Sequence, residues 1–224
     1  MKVKLRVAAL LAALLVLAVG CDILGPTEPT ATLEPTPEET PTPTPTLEPT
    51  PTPVPVRRTD DFEYLLYEDH IEIIKYIGSQ TFVLIPDYLE FLPITHIGAE
   101  AFAGTDVTFV EIGEQITDIC ERAFAGCAMM SSVKLGENLL TIGDEAFADC
   151  IKLGGISIAH NETAIGARAF SGCLALTTVT IGESVTEIGE AAFENCSSSL
   201  TIFGSSGSYA ETYAAENGIR FSAD

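Results

Sequence analysis

The chain has 224 residues, of which 32 are acidic and 11 are lysine or arginine, giving a formal net charge of −21. Such an excess of negative charge repels phosphate, which excludes nucleic acids and anionic lipid surfaces as partners. Apolar residue types make up 46% of the sequence, and a chain of this length can bury a sizeable core.

The first twenty residues have the features of a secretory signal peptide. Basic residues at Lys2, Lys4 and Arg6 precede an uninterrupted apolar run of 13 residues, Val7–Val19. A membrane-spanning helix needs about 20 apolar residues, so this run is too short for a typical transmembrane anchor. We therefore predict that residues 1–20 direct export of the protein.

The four residues Ala18-Val19-Gly20-Cys21 resemble the bacterial lipobox, in which the cysteine is diacylated and becomes the mature N-terminus. The resemblance implies an exported lipoprotein, anchored through Cys21 to the outer face of a membrane at the bacterial cell surface. Two acyl chains hold firmly, because each buried methylene contributes about 0.8 kcal/mol. The alternative is an ordinary signal peptide cleaved near Gly20, which leaves Cys21 as an incidental thiol.

Residues 21–56 are predicted to be the lipidated cysteine followed by an extended linker rich in Pro, Thr and Glu. Eleven of the 13 prolines lie between Pro26 and Pro55. Proline fixes φ and has no N–H to donate, so this stretch favours polyproline II over helix or sheet. At about 3.1 Å per residue, the linker would span on the order of 90 Å between the anchor and the folded domain.

Beyond residue 56, an alanine–phenylalanine pair returns five times, with the phenylalanines 22 or 23 residues apart. The pairs are Ala101-Phe102, Ala123-Phe124, Ala146-Phe147, Ala169-Phe170 and Ala192-Phe193. An isoleucine stands five positions before each phenylalanine. A fixed period of this length is typical of a solenoid, in which each repeat is one coil that stacks on its neighbours.

Each repeat also contains a short strand pattern of the form Leu-x-x-Val-x-Ile. It reads Leu176…Val179-Thr180-Ile181 in one coil, and its alternation places the apolar residues inside. A glycine follows most of the repeated isoleucines, and we expect it to supply a turn with φ > 0. The positions are Gly98, Gly143, Gly166 and Gly189.

The two ends of the repeat array have sequences suited to caps, which a solenoid needs because its terminal coils otherwise expose core. Tyr, Leu and Ile runs in residues 62–76 predict a hairpin. At the other end, Ser208-x-x-Glu211 is a capping box and Asn217-Gly218 is a helix stop, which together predict a short helix.

These features resemble the BspA-like family of bacterial leucine-rich repeat proteins over roughly residues 62–221. The typical repeat is Val185-Thr186-Glu187-Ile188-Gly189-Glu190-Ala191-Ala192-Phe193-Glu194-Asn195-Cys196. The resemblance implies a β-rich leucine-rich repeat solenoid of about five to six coils of 22–23 residues, with an N-terminal hairpin cap and a short C-terminal helix cap. We expect residues 57–92 to form the N-terminal cap and first strand, 93–204 the repeats, and 205–224 the C-terminal cap.

Four cysteines stand three positions after the last four repeated phenylalanines, at Cys127, Cys150, Cys173 and Cys196. Coils about 4.8 Å apart place neighbouring Cα atoms within disulfide range. Buried cysteine also behaves as a small apolar residue, so we predict free thiols. Stacked disulfides are the alternative for an exported protein.

Motifs of enzymes and metal sites are missing from the sequence. His70, His96 and His160 are spread over different coils, and no zinc-type Cys/His spacing, nucleophile motif or phosphate loop occurs. Catalytic and metal sites need such groupings. We therefore predict no catalytic residue, no metal and no cofactor, and expect that the protein is not an enzyme.

The outward positions of the repeated strands are the predicted binding surface, because repeat proteins use extended surfaces of this kind for recognition. We call this surface the strand face and expect one continuous sheet there. Phe109 could instead pack under the loop at residues 88–91. The predicted ligand-binding residues are Thr108, Phe109, Glu111, Ser132, Lys134, Ser157, Thr178 and Thr180.

The predicted function is non-covalent binding of a protein or polysaccharide partner by a surface-anchored lipoprotein. Membership of the BspA-like family implies adhesion to host or neighbouring-cell proteins or to surface polysaccharide. The alternative is a structural envelope subunit or spacer that docks another surface protein of the same cell. An enzyme is the third hypothesis, and only the general versatility of folds supports it.

Overall fold

A computed structural model describes residues 55–158 and 163–223. The predicted signal peptide, Cys21, nearly all of the predicted linker and His160 lie outside the described residues. Within them, the chain forms 16 β-strands and one α-helix. In chain order these are β1 (Val56–Arg58), β2 (Phe62–Leu66), β3 (Ile71–Tyr76), β4 (Phe82–Leu84), β5 (Tyr88–Leu89), β6 (Leu92–Ile97), β7 (Phe109–Glu111), β8 (Asp118–Ile119), β9 (Ser132–Lys134), β10 (Thr141–Ile142), β11 (Gly155–Ile158), β12 (Ala164–Ile165), β13 (Thr178–Ile181), β14 (Glu187–Ile188), β15 (Thr201–Gly204), α1 (Tyr209–Glu216) and β16 (Arg220–Ala223).

The strands assemble into three sheets, and successive coils contribute parallel neighbours to each sheet. The largest has nine strands in the order β1-β2-β3-β6-β8-β10-β12-β14, with β5 paired to β6 beside this path. A three-stranded sheet runs β4-β7-β9, and a four-stranded sheet runs β11-β13-β15-β16. This is the predicted leucine-rich repeat β-solenoid, with about six coils.

The repeated phenylalanines form one column through the core. Neighbouring rings from Phe102 to Phe193 stack with centroids 4.8 to 5.3 Å apart. This spacing is close to the distance between paired strands, so one buried ring per coil is enough to build a continuous stack. Tyr76 stacks on one end at 5.1 Å, and Tyr213 closes the other end edge-on at 6.0 Å.

The corner before each repeated phenylalanine has left-handed backbone although no glycine occupies it. The residues are Glu100, Arg122, Glu145, Arg168 and Ala191, with φ between 53° and 58°. The N–H groups of the first four donate to carbonyls of the next coil; Arg122 N, for example, lies 2.9 Å from Asp144 O. The left-handed conformation at the corner therefore directs its N–H group to a carbonyl of the next coil.

The prediction that the glycines after the repeated isoleucines supply positive φ is wrong. None of Gly98, Gly143, Gly166 and Gly189 lies in the left-handed region. They are needed because the preceding coil is too close for a side chain. A Cβ added to Gly166 would lie 2.6 Å from the backbone nitrogen of Asp144, a distance at which one of the two groups must shift.

The N-terminal cap is the predicted hairpin, extended by one strand. Strands β2 and β3 pair antiparallel, and β1 pairs antiparallel with β2. Because β3 also pairs in parallel with β6, the hairpin continues the largest sheet past the first coil. Its Phe62 and Tyr76 are buried and cover the end of the aromatic column.

The C-terminal cap is the predicted short helix. Ser208 Oγ accepts a hydrogen bond from Glu211 N at 3.4 Å, while the Glu211 carboxylate accepts one from Gly207 N at 2.6 Å. The helix ends at Glu216, and Gly218 follows with φ 66°. Beyond this stop, the chain adds β16 in parallel to β15, a strand that the sequence pattern did not predict.

The four cysteines are free thiols rather than stacked disulfides. Each Sγ donates to the carbonyl oxygen of the phenylalanine in the preceding coil, at 3.0 to 3.3 Å. The cysteine column thus ties each coil to its neighbour without a covalent bond.

Burial of these thiols makes stability depend on pH in the alkaline range. It raises the pKa of Cys173 from 9.0 to about 12 and that of Cys196 to about 11. A thiol with a higher pKa in the folded chain stabilises the fold below its unfolded pKa, and this contribution is lost as pH rises towards the folded pKa.

We therefore expect the free energy of unfolding to fall as pH rises from about 9 towards 12. The fall should be shallower in Cys173→Ala, which lacks one such thiol. Denaturant unfolding at a series of pH values, under reducing conditions, measures both slopes. Identical slopes for the two proteins would be inconsistent with this account.

Candidate functional site

The first part of the predicted strand face lies on strands β7 and β9 of the three-stranded sheet. In the register of this pair, Phe109 lies opposite Ser132 and Glu111 opposite Lys134. Successive side chains of a strand point to opposite sides, so Val110 is buried while these four reach the surface. The structure thus brings half of the predicted residues together as expected.

The second part lies on the four-stranded sheet. Ser157 on β11 lies opposite Thr180 on β13. Thr178, two residues before Thr180, lies on the same side of the sheet. This part has small polar side chains and no charged residue among the predicted positions, so it offers shape and hydroxyl groups rather than charge.

The two parts do not form one continuous sheet, which corrects the prediction. Strands β9 and β11 belong to different sheets, although Gly154 N donates to Ser131 O at 3.3 Å between these coils. Glycine weakens a strand because it has no side chain to pack. The glycine pair at 154–155 therefore interrupts the ladder in the middle of the strand face.

Strand β4 adds two apolar residues to the strand face that the sequence analysis did not include. Phe82 and Leu84 are 58% and 56% exposed. The Phe82 ring stacks on Phe109 with centroids 4.6 Å apart and planes 17° apart. Phe109 thus packs against β4 rather than under the loop at residues 88–91. Val83 and Ile85 stand at the buried Val and Ile positions of the repeated strand pattern, and this match was the available signal that Phe82 and Leu84 point outward.

One ion pair lies beside the aromatic stack. Lys134 Nζ donates a hydrogen bond to Glu111 Oε1 at 2.7 Å, and this bond to the carboxylate raises the pKa of the lysine. Lys134 therefore stays protonated to a higher pH than an unpaired lysine does. At the margin, Thr108 Oγ1 donates to Thr81 O at 3.0 Å. These groups offer apolar contact and fixed polar contacts, which suit non-covalent binding.

Two histidines that the sequence analysis treated as separate come together on the largest sheet. The rings of His70 and His96 lie 5.1 Å apart. His70 Nδ1 is 2.7 Å from Asp69 Oδ1, and His96 Nε2 is 3.5 Å from Asp118 Oδ2. Even so, no three His, Cys, Asp or Glu side chains within residues 55–158 and 163–223 are grouped to hold a metal ion.

No helix in those residues is long and apolar enough to cross a membrane.

Comparison with known proteins gives a consistent family assignment. The profile of the BspA type leucine rich repeat region matches residues 94–219, in six copies. The crystal structure of a leucine-rich repeat protein from T. pallidum is similar, with 30% sequence identity and a TM-score of 0.61, over 66% of this chain and 70% of that one. No protein of curated function matches this sequence significantly.

A second solved structure is similar in fold alone. It is the pneumococcal vaccine antigen PcpA, with 15% identity and a TM-score of 0.58. The similarity covers 75% of this chain and 47% of that one, so this chain corresponds to about half of the antigen's length.

Proposed function

Because the chain belongs to the BspA-type leucine-rich repeat family, we propose that its solenoid is a recognition domain that binds a partner protein without catalysis. The domain acts from the outer side of a bacterial membrane, anchored by lipid on Cys21 and held away from the membrane by the linker at residues 22–56. The charge of −21 favours a partner with a basic surface.

The exposed aromatic stack carries this proposal. Phe82 and Phe109 pack on each other, and Phe82 and Leu84 remain more than half exposed beside a charged lysine. Protein interfaces commonly centre on a few aromatic and apolar anchors surrounded by polar groups. The arrangement on β4, β7 and β9 has this composition, so we place the centre of the binding surface there.

A binding panel tests this function. The purified chain is titrated with extracellular-matrix proteins and, separately, with surface polysaccharides. We expect saturable binding to a protein, and we expect the double substitution Phe109→Ala with Lys134→Glu to weaken it at least about tenfold, because it removes an anchor and places two acidic groups opposite each other.

The matched control is Thr186→Ala with Glu187→Ala, two exposed residues at β14 of the largest sheet and outside the strand face, which should change affinity by less than about threefold. Denaturant unfolding verifies that both variants keep the fold. Binding to a polysaccharide and to no protein would indicate that the partner is a glycan. Binding to nothing in the panel would favour the envelope-subunit alternative, and a pull-down from the native cell surface would then identify the docked protein.

A further inference from the structure

Strand β4 has a free edge. It is the end strand of the three-stranded sheet, it pairs with β7 on one side, and no described strand pairs with its other side. The largest sheet, by contrast, continues past the coil of β3 and β4 through β2 and β1. The cap therefore extends one side of the solenoid and leaves the strand face ending at β4.

The backbone groups of Phe82 and Leu84 point to this free edge. In a parallel sheet, the N–H and C=O of successive residues face the two neighbouring strands alternately. Ile85 N donates to Glu111 O at 2.9 Å, which shows that the odd-numbered residues of this segment face β7. Phe82 and Leu84 consequently have two N–H and two C=O groups that point away from β7, and no described strand pairs with them.

The side chains of β4 do not protect its edge. Natural edge strands usually carry charges, proline or a bulge, which prevent pairing with other chains. Strand β1, the end strand of the largest sheet, has Arg57 and Arg58 at its edge. Strand β4 consists of Phe, Val and Leu, and its two outward side chains are more than half exposed. An unprotected apolar edge of this kind suits pairing with a partner strand.

The aromatic stack indicates what the partner strand would carry. Phe82 lies opposite Phe109 in the register of β4 and β7, and their rings stack at 4.6 Å. A strand added at the free edge would place one of its side chains opposite Phe82 at the same spacing. An aromatic side chain there would extend the stack by one ring.

Charge indicates what would flank that aromatic residue. Asp106 and Thr81 line the same surface depression at the start of β4, and Asp87 follows its end by three residues. Glu111 lies opposite Leu84. Lys134, the lysine of the strand face, is already paired with Glu111. Basic residues on the partner would therefore be attracted to both ends of β4.

We propose that the free edge of β4 binds an extended segment of a partner protein, with an aromatic side chain opposite Phe82 and basic residues on either side of it. This rests on the proposed function, because it requires a protein partner. It adds the mode of binding: main-chain hydrogen bonds give affinity, and the stack and the flanking charges give specificity.

A synthetic peptide tests the proposal directly. The probe is Lys-Thr-Val-Phe-Val-Thr-Lys with both ends blocked, and the control peptide has glutamate in place of both lysines. We expect the probe to slow hydrogen exchange of the Phe82 and Leu84 amides in the full-length chain at least about tenfold, and the control peptide to bind at least about fivefold more weakly.

Two substitutions at one position separate the backbone contribution from the side chain. Leu84→Pro removes the outward N–H, which edge strands tolerate, while Leu84→Ala keeps the N–H and removes most of the side chain. We expect the proline variant to bind the probe at least about fivefold more weakly than the alanine variant, the effect of one lost hydrogen bond.

Equal binding by the two variants would overturn the proposal, as would unchanged exchange of the two amides in the wild-type chain at saturating probe. Protection of those amides before any peptide is added would also overturn it, because the edge would then be covered by this chain's own N-terminal segment or by a second copy. If a panel protein requires Phe109 and Lys134 but binds both Leu84 variants equally, the proposed function stands and edge pairing fails.

Discussion

Replacing Phe147 with alanine is expected to lower the free energy of unfolding by about 4 kcal/mol. Phe147 is fully buried and stacks on Phe124 at 5.1 Å and on Phe170 at 5.3 Å. The substitution removes the middle ring of the aromatic column, and the coils on either side are held at a fixed spacing by their backbone bonds. The cavity therefore cannot close, which places the cost at the high end of such substitutions.

Denaturant unfolding measures this effect, and Phe91→Ala is the matched control. Phe91 is fully exposed at the turn between β5 and β6, so the same change of residue type should alter stability by less than about 0.5 kcal/mol. A loss below about 1 kcal/mol for Phe147→Ala would mean that the column contributes little, contrary to the packing described above.

The substitution Gly166→Ala is expected to cost about 3 kcal/mol, which is unusual for the addition of a single methyl group. The new Cβ would lie 2.6 Å from Asp144 N and from the carbonyl carbon of Gly143 in the preceding coil. Both are backbone atoms, so they cannot move aside as a flexible side chain would. Relief requires the two coils to separate, which weakens the hydrogen bond from Gly166 N to Ile142 O.

Gly154→Ala is the control for this substitution. Nothing lies within 4 Å of a Cβ built at Gly154, and its φ is not in the left-handed region. Alanine there should leave stability unchanged or raise it by up to about 1 kcal/mol, because the unfolded chain becomes less flexible. Thermal or denaturant unfolding of the two variants gives the comparison. Similar free energies of unfolding for Gly166→Ala and Gly154→Ala would show that the spacing of the coils at Gly166 does not exclude a side chain.

The sequence predicted the stacking of the coils because the stacking depends on residues that recur. One phenylalanine and one isoleucine per coil, at a fixed period, must lie above one another if the coils are equal in length. The helical cap was predictable for a different reason. Its signals, Ser208, Glu211 and Gly218, act locally through capping hydrogen bonds and positive φ, and such signals do not depend on the rest of the fold.

The corners were not predictable, because their residue types disfavour the conformation that they adopt. Arg122 and Glu145 have left-handed backbone, which costs roughly 1 kcal/mol or more for a residue with a side chain. The hydrogen bonds from their N–H groups to the next coil offset this cost. Tertiary structure thus determines φ at these positions, and local sequence preference does not indicate it.

The centre of the candidate site was only partly predictable. Phe82 and Phe109 are 27 residues apart and belong to different coils, and their contact follows from the register of β4 and β7. The outward position has Phe in these two coils and Ser132 in the next, so no repeat draws attention to it. Surface residues that differ from coil to coil form no repeat in the sequence, whereas the core residues recur in every coil.

Photo-crosslinking from two positions tests most directly whether binding takes place on the strand face. A photoreactive amino acid is placed at Ser132, exposed on β9, or at Glu187, exposed on β14 of the largest sheet. We predict that the partner protein identified by the binding panel crosslinks to the Ser132 position and that Glu187 gives background only. Crosslinking at Glu187 with none at Ser132 would contradict the account and place the binding surface on the opposite sheet.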